Sequence, residues 1–203
     1  MSPEIVRLIV DAAGQTLYMV ASAGLIGTAL GLPLGVFLAT SGRGELFEAV
    51  AVNRALGLVV NATRSTPFII LVVAIIPFTR LVAGTSIGTT AAIVPLTVAA
   101  TPFIARIIET AIREVDQGLI EASRAMGATS LQIVAKVLLP EALPAIVLGL
   151  TLTAVSLIGY SAMVGAVGGG GLGDLGIRFG YQRFMPDVMA RIGVVLILLV
   201  QAV

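Results

Sequence analysis

Apolar residues fall in long uncharged runs along this chain, and the lengths of those runs define its elements. A helix crosses the hydrocarbon core of a bilayer with about 20 predominantly apolar residues. Three runs meet that length outright: Gln15 to Thr40, Leu81 to Ala105 between Arg80 and Arg106, and Ala142 to Gly173. A fourth, Ala55 to Thr79, is interrupted by Arg64, whose long stem can carry its guanidinium to the headgroups. A fifth, Val188 to Val203, has the membrane-like core GVVLILLVQAV and is barely long enough, so the native chain is expected to continue past Val203. The pattern predicts an all-α integral membrane fold forming one domain over residues 1–203. About five transmembrane helices are expected near 15–40, 55–79, 84–106, 143–166 and 188–203, with a charged loop at 107–142. The first run is not a cleaved signal peptide, because Glu4 and Asp11 precede it where a basic segment would stand. Pro33, Pro67, Pro77, Pro95 and Pro102 lie within the runs, as kinks or as parts of a gate.

Composition narrows the chemistry. Of 203 residues, 58% are hydrophobic and 11% charged, too little charge to coat a soluble domain. Cys and His are both absent, which removes thiolate and imidazole metal ligands and the commonest general base. Lys136 is followed by Val137, so the phosphate-binding G-x-x-x-x-G-K-[ST] loop is missing and the chain is not itself an ATPase. A net charge of +1 gives no case for nucleic-acid binding.

Arg and Lys in short loops report orientation. With the amino terminus outside, the inner segments hold Arg43, Arg54, Arg106, Arg113, Arg124 and Lys136, with Arg64 close by. The outer segments then hold Arg7, Arg80, Arg178, Arg183 and Arg191. The bias favours an outside amino terminus and, with five spans, a cytoplasmic carboxyl terminus.

The largest charged insert, Arg106 to Glu141, reads as two short helices and a turn. Asp116 is placed to cap the first helix, and Gly127 to stop it in a left-handed conformation. Thr129 and Gln132 form a capping-box pattern for the second. Leu131, Val134 and Leu138 give that helix an apolar stripe, and Pro140 is expected to end it. Read from the residues alone, this is either an amphipathic loop lying on lipid or a partner-docking surface.

The segment EASRAMGATSLQIVAKVLLP resembles the EAA motif of ABC-importer permeases, in which E-A-A is followed by three residues, G, nine residues, I, one residue and L-P. Glu121, Ala122, Gly127, Leu139 and Pro140 fall on the pattern, while Ser123 and Val137 replace a small residue and Ile. The segments RSTPFIILVVAIIPFTRLVAGTSIG, AAIVPLTVAATPFIARIIE and GYSAMVGAVGGGGLG extend the likeness to the methionine-importer permease subfamily, over most of residues 61–173. The resemblance implies that Glu121, Ala122, Ser123, Arg124, Ala125, Met126 and Gly127 form a coupling helix docking into a cytoplasmic ATPase. It implies two permease copies, two ATPase copies that bind the ATP and Mg, and an extracytoplasmic substrate-binding protein. The chain itself would hold no cofactor and catalyse nothing. It would reside in the bacterial inner membrane and carry methionine, in the L and possibly the D form, with derivatives, by alternating access. A permease for another small amino acid is the nearest alternative.

A zwitterion with an apolar side chain needs polar lining in the spans. Ser156, Tyr160, Ser161 and Met163 in the run from Ala142 to Gly173 suit a pathway, with flexible Met163 as a gate, although small residues also serve helix packing. The outer loop from Gly168 to Asp187 suits docking of the binding protein or serves as a flexible connection. Arg64 reads as a headgroup contact or as a contact with the ATPase or inner gate. GGGGLG, Gly168 to Gly173, satisfies G-x-G-x-x-G but follows a membrane run where a dinucleotide site requires a strand. Ser161 as a nucleophile lacks a base, and the Asn61-Ala62-Thr63 sequon falls near the inner face. A stand-alone secondary transporter would use buried ionisable groups or a repeated arrangement of broken helices, and the sequence offers neither.

Overall fold

The structure is a computed structural model and describes residues 3–203. It is helical throughout its regular segments: α1 Pro3–Thr40, α2 Val50–Ser65, α3 Phe68–Ala74, α4 Ile76–Ala83, α5 Thr89–Arg113, α6 Gln117–Ala125, α7 Ser130–Ile133, α8 Leu139–Ala166, α9 Gly171–Leu175 and α10 Pro186–Gln201. A π turn at Val134–Leu138 joins α7 to α8, and another at Gly176–Tyr181 follows α9. Among the described residues three helical runs are long and apolar enough to cross a membrane, within α1, α5 and the continuous stretch Ser130–Ala166. They become four if α2 and α3, which break at Pro67, count as one span.

The boundaries differ from the apolar runs in instructive ways. The run from Ala55 to Thr79 is cut into α2, α3 and α4, because Pro67 and Pro77 stand at helix starts, where a missing N–H is harmless. The run from Leu81 to Ala105 does not begin a helix at Leu81. Gly84 ends α4 in the left-handed conformation, and α5 starts at Thr89 and continues past Arg106 to Arg113. Pro140 does not end the second helix of the charged insert. A proline in an α-helix lacks one donor and crowds the carbonyl four residues back. Here Leu139 N–H bonds Val134 O, five residues back, so the widened turn shifts the register just ahead of Pro140 and the helix runs on.

Two compact units share these helices. One contains the chain up to Gly27, Thr66–Ala100 and Thr153–Val203; its core includes Ile9, Ala12, Leu172, Leu175, Val188 and Ile192. The other contains Thr28–Ser65 and Thr101–Leu152 and buries Leu38, Ile104, Ile108, Ile133 and Leu138. Large apolar side chains also cover the outside, among them Leu25, Leu58, Leu81 and Leu148. A soluble protein rarely exposes so much, whereas lipid accepts it. In the second unit α1 meets α5 through Gly31 and Gly35, whose Cα positions leave no room for a side chain against Thr101, Ile104, Ala105 and Ile108. Small residues four apart let helix backbones approach closely in lipid.

Candidate coupling site and pathway

The charged insert folds as a pinned knob, and its caps are local. Asp116 Oδ1 accepts from Gly118 N–H at 2.6 Å and starts α6. At the other end Gly127 takes φ 80°, Gly127 N–H donates to Arg124 O, and Ala128 N–H donates to Ser123 O. That pair of bonds is a Schellman closure, which satisfies the last carbonyls and needs a residue without Cβ strain at Gly127. Thr129 Oγ1 then accepts from Gln132 N–H while Gln132 Oε1 accepts from Thr129 N–H, completing a reciprocal capping box. Both helices are therefore terminated on the two sides of a four-residue turn, and the element between Asp116 and Ile133 has little freedom to deform.

Its surface divides cleanly. Glu121, Ala122, Arg124, Ala125, Met126 and Gly127 are exposed, and Met126 is 81% exposed. Ser123 is buried and its Oγ donates to Leu119 O. Of the apolar stripe of the next helix, Val134 and Leu138 are buried as expected, with Ile133 beside them, while Leu131 is 72% exposed. Leu131 and Met126 thus add apolar surface to a charged knob, the mixture a protein partner buries.

A charge cluster on α5 leads into the knob. Glu109 is buried, with Arg106 at 2.5 Å and Arg113 at 2.9 Å. Arg106 also donates to Asn61 Oδ1 at 2.7 Å, so the sequon asparagine serves as an acceptor. The spacing R-x-x-E-x-x-x-R, Arg106 to Arg113, would have disclosed this arrangement to sequence reading. Replacing Glu109 with Gln leaves two guanidinium groups facing a neutral side chain. The expected loss is about 2 kcal/mol, below that of a fully dry pair because Arg113 is half exposed. A lowered detergent melting temperature of Glu109→Gln checks it. Arg64 sits over the Phe103 ring at 5.6 Å and lines an open groove with Arg106, Thr110 and Glu114.

Residues proposed for a pathway separate into two groups. Ser156, Tyr160 and Met163 follow helical spacing along one side of α8, and Met163 is 47% exposed. Tyr160 stacks on Phe68, with ring centroids 4.5 Å apart and 15° between planes. Ser161 is buried and donates to Ile158 O, so its hydroxyl is spent within its own helix. Sequence reading did not single out Phe68, which α3 brings to Tyr160.

The Gly-rich loop after α8 is held by side chains from α1. Gly171 N–H donates to Gln15 Oε1 and Leu172 N–H donates to Thr16 Oγ1, each at 2.9 Å. Gly168 O accepts from Gly88 N–H. None of this backbone is arranged to cradle a dinucleotide: two of its N–H groups are already committed to α1.

Comparison with known proteins agrees with the motif. The family model for the inner membrane component of binding-protein-dependent transport systems matches residues 31–203. A probable D-methionine transport system permease protein of Vibrio cholerae serotype O1 is 59% identical over 196 residues, covering 97% of this chain and 87% of that protein. The D-methionine transport system permease protein of Escherichia coli K12 is 53% identical over 165 residues, 81% of this chain and 76% of that protein. A chain of the MetNI methionine ABC transporter in an inward-facing conformation superposes with a TM-score of 0.97 at 51% identity, covering 100% of this chain and 94% of that one. The chain belongs to the family of inner membrane components of binding-protein-dependent transport systems.

Proposed function

We propose that this chain is the membrane-spanning, non-catalytic permease subunit of an ATP-driven importer for methionine, working as two copies with two cytoplasmic ATPase subunits and an extracytoplasmic binding protein. The observation that carries this reading is the 59% identity over nearly the whole chain to a permease named for D-methionine transport. The proposed topology has five spans, α1, α2 to α4, α5, α8 and α10, with the amino terminus outside and the knob at Glu121–Gly127 in the cytoplasm. The excess of Arg and Lys on the inner segments supports that orientation.

The mechanism follows from stiffness. A helix closed by a Schellman turn and abutting a capping box transmits a push instead of absorbing it. The capping box opens a helical run, Ser130–Ala166, that carries Ser156, Tyr160 and Met163 toward its other end. ATP binding draws the two ATPase subunits together, the knobs move with them, and the helices that follow change between two packings. ATP and Mg stay with the ATPase. Met163 and Tyr160 are the proposed gate and lining residues, while Ser156 and Ser161 contribute as much to helix packing.

The test is uptake into proteoliposomes containing the permease, its ATPase and the binding protein. Radiolabelled methionine is expected to accumulate only with ATP present on the ATPase side. Accumulation without ATP, or driven by a proton or sodium gradient, would overturn the reading.

A further inference from the structure

We infer that the cavity between the Gly-rich loop and the start of α5 binds the head of an α-amino-acid zwitterion, making it a vestibule site ahead of the Met163 gate; this rests on the amino-acid importer reading above. The cavity is open, about 410 Å³ in volume, and Gln15, Ile87, Thr89, Asp174 and Arg178 lie in its lining together with Gly168 and Gly170.

Its charge fits that ligand class. Asp174 and Arg178 are the two charged residues of the lining, and they are paired one helical turn apart. The Asp174 side chain is only 15% exposed and forms the floor, whereas Arg178 is 60% exposed and reaches it from the solvent side. The Arg178 end of the pair is open to solvent, which keeps the cost of opening it small. An amino acid carries its ammonium and carboxylate on one carbon. Seated between the two residues, it exchanges one ion pair for two, ammonium on Asp174 and carboxylate on Arg178. A ligand with a single charge breaks the pair and satisfies half of it, which selects against amines and simple acids.

The neighbouring space fits the side chain. Ile87 also lines a second, smaller cavity of about 80 Å³, walled by Val72, Pro95, Val164 and Val167. That pocket is mostly apolar and adjoins the polar one across Ile87, so the two offer separate compartments for a charged head and an unbranched apolar tail.

The walls are preorganised and joined to α8. Gln15 and Thr16 hold the loop backbone, and Gly88 N–H holds Gly168 O. A Cβ on Gly173 would collide with the Ala162 backbone, and one on Gly165 with the backbone of Gly173 and Asp174. The backbone of Asp174 therefore rests directly on the turn of α8 that contains Met163.

The chain contains no Cys, so one introduced thiol reports the site. Ile87→Cys is built into the permease–ATPase complex without binding protein, and maleimide labelling of the permease is timed. Methionine at about ten times its dissociation constant is expected to slow labelling roughly tenfold. N-acetylmethionine, which lacks the ammonium, and methionine methyl ester, which lacks the carboxylate, are expected to leave the rate unchanged at the same concentration. A thiol at Phe184, which is 86% exposed and outside the cavity, is expected to label at one rate throughout. Adding Asp174→Asn to the Ile87→Cys chain is expected to remove the protection. Equal protection by all three compounds overturns the site, on a chain whose Asp174 is intact. Methionine uptake by the full system without protection overturns the site and leaves the import reading standing. Protection and uptake by another apolar amino acid, with neither for methionine, supports the site and overturns the methionine reading.

Discussion

Glu121→Lys is expected to abolish ATP-driven uptake while leaving the permease folded. Glu121 is exposed on α6 and makes no hydrogen bond or ion pair among the described residues. A surface change of that kind shifts stability by no more than about 0.5 kcal/mol. Its effect must then come from what the knob touches. Reversing a charge at a protein interface sets like charges together or strands a partner's cation, at several kcal/mol. A penalty of about 3 kcal/mol weakens docking roughly hundredfold, enough to uncouple the two proteins at working concentrations. The measurements are three: the melting temperature of the permease, recovery of the ATPase on an affinity-tagged permease, and uptake in proteoliposomes. Unchanged melting with both other signals lost is the expected pattern. Ser123→Ala provides the contrast, because Ser123 is buried and its hydroxyl donates to Leu119 O of its own helix. Normal uptake by Glu121→Lys would remove the knob from the mechanism.

The knob was legible in the sequence because the bonds that cap its helices are short in sequence. Asp116 reaches two residues, Thr129 and Gln132 reach three, and Gly127 closes a turn with its immediate neighbours. Where the reading missed, the cause was also physical. Pro140 has a strong local meaning, and a π turn five residues long absorbed it. Leu131 belongs to the apolar period by spacing, yet it lies in the first turn of its helix and is exposed, while Val134 and Leu138 of the same stripe are buried together with Ile133. The anchoring of the Gly-rich loop joins residues 156 apart in sequence, Gln15 to Gly171 and Thr16 to Leu172. No local period carries that information. Tyr160 on Phe68 is of the same kind, set by the break at Pro67 that turns α3 toward α8. Hydropathy placed the chain in the bilayer, but it left the helix ends to glycines and prolines whose effects depend on what packs beside them.

Gly35→Val is expected to be strongly damaging to the packing of α1 on α5. A Cβ at Gly35 would lie 2.5 Å from Ala105 O and 2.7 Å from Ile108 Cβ, and one at Gly31 would lie 2.9 Å from Thr101 O. The obstruction includes backbone, so no rotamer change relieves it, and α1 must move off α5. Overpacking of a core costs about 1–3 kcal/mol, and a branched side chain against a carbonyl belongs at the upper end or beyond. In lipid the loss is compounded, because close packing is itself a main source of helix association and no hydrophobic gain between helices replaces it. The buried run Ile104 and Ile108 would be exposed along the same seam. Gly193→Ala is the internal control: nothing lies within 4 Å of a Cβ there, and alanine gains about 0.5–1 kcal/mol over glycine in a helix interior. Detergent melting and membrane yield are expected to fall sharply for Gly35→Val, to fall less for Gly35→Ala, and to hold or rise for Gly193→Ala. Equal melting of the three variants would mean that α1 and α5 are not held together through Gly35.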